Sequence, residues 1–118
     1  MTNCHLPIRE RSIVSIDCET TGLYVENGDR IVELAMVKQH PDGRTEEWSS
    51  LLNPECEMSP SNVAIHGITN AMVSAAPVFS SVWSTIKNWI DDSIIVAHNA
   101  PFDLGFLQSE ISKIDQPS

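Results

Sequence analysis

Asp17 and Glu19 stand two positions apart, with Cys18 between them, in the stretch DCETTGL at residues 17–23. If this stretch leaves a strand, alternation turns both carboxylates to one face, with Cα atoms roughly 7 Å apart, and Cys18 to the other. Two carboxylates converging at a strand end repel unless they share a cation or a proton. Hard oxygen donors with no neighbouring Cys or His pair select Mg²⁺ or Mn²⁺ over zinc. Taken alone, Asp-x-Glu fits two solvated acids near a turn equally well. Thr20, Thr21 and Gly22 follow, with the exposed backbone N–H groups of a turn. A second group, HNAPFD at residues 98–103, ends on Asp103, placed where the first turn of a helix favours a carboxylate. Ordinary helix chemistry explains that Asp by itself.

The elements that would position these groups follow from periodicity. Residues 12–17 (SIVSID) read as a strand ended by Thr21 and Gly22, and residues 30–39 (RIVELAMVKQ) as a second. The PDGR turn at residues 41–44 predicts an antiparallel return over residues 45–52, completing a meander. Pro54 and Pro60 then break the pattern. From Pro77 onward, Phe79, Val82, Trp83, Ile86, Trp89 and Ile90 recur as one stripe of an amphipathic helix. Residues 93–98 (SIIVAH) form a short apolar strand of the kind covered on both faces. A final helix starts with Asn99 as N-cap and Pro101 in the first turn, burying Leu104, Leu107, Ile111 and Ile114. Ligands of open α/β sheets bind beyond the carboxyl ends of strands, so both motifs share one edge if their strands are parallel neighbours.

Composition bounds the rest. The chain has 118 residues, 42% hydrophobic and 19% charged, enough for one core in one domain. Its formal net charge of −9 repels a phosphate backbone, so nucleic-acid binding must be local or cation-assisted. Cys4, Cys18 and Cys56 are odd in number and lack CxxC spacing, which argues against a disulfide framework or a zinc site. Neither a signal peptide nor a run near the ~20 apolar residues of a membrane span is present. The expectation is a soluble, cytoplasmic protein with no membrane partner, residues 1–11 being a polar leader.

Taken together, the motifs resemble the DEDD family of 3′-to-5′ exonucleases, which includes the proofreading epsilon subunit of bacterial DNA polymerase III and ribonuclease T. DCETTGL matches the family's first motif, HNAPFD the second, and IHGIT at residues 65–69 the segment that leans on the terminal nucleotide. The resemblance covers residues 12–115. It implies an α/β, ribonuclease H-like mixed sheet, a three-stranded antiparallel meander plus a parallel strand, with flanking helices. It also implies phosphodiester hydrolysis with two divalent cations, Mg²⁺ or Mn²⁺. Asp17 would bridge both cations, Glu19 would bind the ion on the nucleophile side, and Asp103 would hold the second. Thr20, Thr21, Gly22, Leu23, His66, Ile68, Asn99 and Phe102 would grip the last nucleotides. The partner would be a single-stranded 3′ end of DNA or RNA, held by stacking and metal contacts, with a DNA polymerase subunit as a further partner.

One departure stands out. The family's third motif, a His followed five residues later by an Asp, has no counterpart: none of residues 104–118 is His. The expectation is therefore residues 12–118 as the N-terminal portion of an exonuclease domain, without its last strand and helix, leaving the strand near residues 94–97 as an apolar edge. Two other readings stay open: an inactive module that binds nucleic acid or a polymerase with the same surface, and an acidic α/β domain whose carboxylates are solvated.

Overall fold

The computed structural model describes residues 11–114, so the first ten residues of the leader lie outside the described residues. Strand β1 (Ile13–Thr20) alternates as its sequence does, with Val14, Ile16, Cys18 and Thr20 inward and Ser15 and Asp17 exposed. Strand β2 (Ile31–Gln39) pairs antiparallel with β1, and β3 (Thr45–Leu51) returns antiparallel along β2. The PDGR turn closes through the His40 and Arg44 backbones, and Gly43 takes a φ of 93° that favours glycine. Strand β4 (Ile94–Ala97) pairs parallel with β1, giving the order β3-β2-β1-β4. The expected meander and parallel strand are both present.

Helices α3 (Phe79–Ile90) and α4 (Ala100–Ile114) pack on the inner face of the sheet. Phe79, Ile86, Phe106 and Leu107 join Val14, Ile16, Leu34 and Met36 in the main core. Two short helices, α1 (Pro60–His66) and α2 (Asn70–Ser74), occupy the segment in which sequence periodicity was interrupted by prolines. Pro60 does not break α1; it begins it, behind an N-cap Ser59 whose hydroxyl accepts from the Asn62 N–H. Gly67 closes α1 with a φ of 74°.

Strand β4 departs from the expectation of cover on both faces. Val96 is 43% exposed and the other three residues are half-buried, because α3 and α4 cover the inner face alone. Among the described residues β4 is an edge strand. No helix among the described residues is long and apolar enough to cross a membrane.

Candidate active site

The parallel register of β1 and β4 brings the carboxyl ends of both strands to one edge, and with them the two motifs. Asp17 is exposed on the outer face and lines a cleft of ≈ 640 Å³ with Ser15, Ala35, Val37, Val96 and His98. Glu19, two residues on, lines a smaller pocket of ≈ 120 Å³. Five of the residues expected to grip a nucleotide surround that pocket: Thr20, Gly22, Leu23, His66 and Phe102. Adjacent residues of one strand face thus reach two neighbouring depressions. The β1–β2 register also sets Glu33 opposite Glu19, a third carboxylate on the outer face that linear spacing could not reveal.

Asp103 is 4% exposed in the first turn of α4, where its Oδ1 accepts the Cys18 backbone N–H at 3.1 Å. The Cys18 thiol lies inside as alternation requires. Burial, and then the negative charge and hydrogen-bonding of Asp103, push that thiol well above its ordinary pKa. Asn99 is exposed at the β4–α4 junction and its carbonyl accepts the Asp103 N–H at 3.0 Å, as an N-cap residue's should.

Three of the eight residues expected to grip a nucleotide, Thr21, Ile68 and Asn99, do not line the smaller pocket. Ile68 is 5% exposed and packs with Val32, Met58 and Val73 in a second core cluster, so it faces away from the pocket. Ile65, 79% exposed on α1, lines the pocket instead. The helix explains the exchange: α1 ends at His66, and the chain turns inward after Gly67. Thr21 is 6% exposed and does not line the pocket. His66 accepts the Ile68 N–H on Nδ1 at 3.1 Å, which assigns the proton of its neutral ring to Nε2. That Nε2 is buried without a hydrogen-bond partner among the described residues.

The donors are all carboxylate oxygens, which suit Mg²⁺ or Mn²⁺ in kind. Among the described residues no three His, Cys, Asp or Glu side chains stand close enough together to hold a metal ion. Asp17 and Glu19 share the outer face while Asp103 approaches from the α4 side, one oxygen committed to the β1 backbone. Carboxylates gathered at one sheet edge repel unless a cation balances them, and here they form no preassembled cage.

A family model described as exonuclease (RNase T) matches residues 14–117. A DNA polymerase III subunit epsilon-like protein of Rhodobacter capsulatus is 39% identical over 104 residues, covering 86% of this chain and 15% of that protein. Exonuclease X, solved in complex with 5′ overhanging duplex DNA, is 38% identical with a TM-score of 0.61, covering 77% of this chain and 51% of its own. The nuclease domain of 3′hExo, a DEDDh family member bound to rAMP, shares the fold with a TM-score of 0.75 at 19% identity, over 92% of this chain and 62% of that one. The chain therefore spans less than two thirds of each of these relatives. Exonucleases of this kind use divalent metal ions. A match that runs from the second residue of β1 to beyond the last turn of α4, in a chain folded as those nucleases are, makes this protein a member of the exonuclease family of RNase T.

Proposed function

We propose that the chain is a 3′–5′ exonuclease domain that takes a single-stranded 3′ end of DNA or RNA, in epsilon-like proofreading or repair beside a DNA polymerase subunit in the cytoplasm. The supporting observation is the placement of Asp17 and Glu19 on one strand face, each lining one of two adjoining depressions. In this reading the terminal nucleotide enters the smaller pocket. Leu23, Ile65 and Phe102 offer it apolar surface, and the buried, unpartnered Nε2–H of His66 offers it a hydrogen bond. Asp17 and Glu19 hold divalent Mg²⁺ or Mn²⁺, with Asp103 as the third ligand, directly or through water. Bound cations supply an activated water and stabilise the leaving 3′ oxygen. The Cys18 N–H fixes the orientation of Asp103, and the packed α4 excludes water from behind it.

Residues 12–118 then correspond to the N-terminal portion of such a domain, and the third-motif His and Asp would act as general base and fourth carboxylate. The test follows a 5′-labelled single-stranded oligonucleotide, DNA and RNA in parallel, with Mn²⁺. Shortening from the 3′ end should require the metal and vanish in Asp17→Ala, which should also lose the heat of Mn²⁺ binding in calorimetry. A chain extended through a His-and-Asp motif should be faster by about 10² to 10⁴, the usual worth of a positioned base. Equal Mn²⁺ heats from wild type and Asp17→Ala would overturn the assignment.

A further inference from the structure

The wall of the smaller pocket is held by a carboxylate that does not line it. Between β1 and β2 the chain passes Thr21 to Tyr24, a single 3₁₀ turn over Val25–Asn27, and Gly28 at a φ of 87°, before Asp29 reaches back into the loop. Asp29 Oδ1 accepts the Thr21 hydroxyl at 3.0 Å and Oδ2 accepts the Tyr24 N–H at 3.0 Å. The same Thr21 oxygen accepts the Arg30 N–H at 3.0 Å, while the Thr21 N–H donates to the Arg30 carbonyl at 2.8 Å. Gly22 lies so close over this carboxylate that a Cβ there would meet Asp29 Oδ2 at 2.4 Å. The loop is wound around one side chain. Its pocket side is Gly22 and Leu23, which with Glu19 and the buried end of β1 at Thr20 form one side of the pocket.

We propose that Asp29 and Thr21 are positioning residues for substrate binding. They hold the Thr20, Gly22 and Leu23 wall in the shape that takes the terminal nucleotide, and they act through that wall without touching the nucleotide. This inference rests on the reading of the pocket as the site of a 3′-terminal nucleotide. Neither residue belongs to the carboxylates assigned to the cations, so the expected signature is weaker binding with Mn²⁺ affinity retained. Thr21→Val removes the hydroxyl and keeps the shape; Thr21→Ser keeps the hydroxyl; Asp29→Asn keeps one accepting oxygen.

The experiment titrates thymidine 5′-monophosphate, the type of product such hydrolysis releases, into the 118-residue chain with Mn²⁺ present. Amide NMR signals of Gly22 and Leu23 report on the wall, and urea melts on folding. Misplacement of a binding surface by about 1 Å can lower performance by up to about 100-fold, so Thr21→Val and Asp29→Asn should weaken binding by ~10- to 100-fold. Thr21→Ser should bind within about threefold of wild type, and Mn²⁺ heats should be unchanged in all folded variants, as befits groups remote from the cations. If Thr21→Val does not fold, Asp29→Asn carries the comparison. Wild-type affinity in Thr21→Val or Asp29→Asn would overturn the inference and leave the proposed function standing. So would equal weakening in Thr21→Ser and Thr21→Val. Absence of nucleotide binding by wild type would overturn the proposed function, and this inference with it.

Discussion

Cys18 separates the two carboxylates of the first motif, and its own chemistry is set by where alternation sends it. Its side chain is 7% exposed, and its backbone N–H is bonded to Asp103. Burial first, then the Asp103 carboxylate, raise the thiol pKa above its ordinary 9.0. A group whose folded pKa is raised contributes stability that is fully present below the unfolded value and is lost as pH rises toward the folded one. The expected window therefore opens near pH 9.0 and extends upward. Within it this residue should lower unfolding free energy by up to about 1.4 kcal/mol per pH unit. Urea melts at about pH 8 and about pH 10 on wild type and Cys18→Val isolate it, since Val cannot ionise and other titrating groups are common to both. An identical pH slope in the two proteins would show that the thiol is not desolvated in the folded chain.

At the scale of elements, α4 is anchored by an ion pair that apolar periodicity does not register. Glu110 is 2% exposed; it accepts Arg30 Nε at 2.8 Å, Arg30 Nη2 at 2.7 Å and the Ile31 N–H at 3.2 Å. The fork joins the last turns of α4 to the start of β2, the same segment that carries Asp29. Removing Glu110 leaves Arg30 with only the exposed Glu55 carboxylate at 3.9 Å, so Glu110→Ala should destabilise by about 3 kcal/mol, the lower end for breaking a buried pair. An effect under about 1 kcal/mol in urea melts would place the pair among surface ion pairs instead. The same residue explains how much of this helix was legible in the sequence. The stripe Leu104, Leu107, Ile111, Ile114 is rotated slightly from the buried set Asp103, Phe106, Leu107, Glu110, because two of those four are acids. The stripe of α3 was legible in full: Phe79 and Ile86 are buried, with Val82, Trp83, Trp89 and Ile90 packed against the core. Helices α1 and α2 were not, being too short for a period to show. The candidate carboxylates on β1 and at the head of α4 could be singled out by local pattern, and the residues around them by resemblance to the exonuclease motifs, whereas Ile65, Glu33 and the Arg30–Glu110 fork depend on long-range pairing. Strand β4 has an element-scale consequence too. It pairs with β1 alone among the described residues and shows Val96 to solvent, an edge open to further pairing. Light scattering should detect self-association that Val96→Lys suppresses; a monodisperse wild type at all concentrations would show that this edge is already protected.

Charge acts at the scale of the whole molecule. Seven Lys and Arg stand against 16 Asp and Glu, and neither of the two depressions is lined by a Lys or Arg. Among the described basic residues, Arg30 is held by Glu110, Arg44 by Asp42 and Lys87 by Asp91, while Lys38 donates to the Trp89 carbonyl. A phosphodiester approaching the Asp17 and Glu19 face therefore meets carboxylates first, and a divalent cation has to reverse the local sign before it can bind. Counterion release gives a slope of log affinity on log salt near −0.7 per phosphate neutralised by Lys or Arg on a single strand. With no such contact at the pocket, the slope at fixed Mn²⁺ should be shallow, between 0 and about −1, and chelation of the metal should abolish binding. Fluorescence anisotropy of a labelled single-stranded oligonucleotide measures both quantities. A slope steeper than about −3, or binding that survives chelation, would mean that the strand is held by basic groups rather than through cations on the outer face of β1.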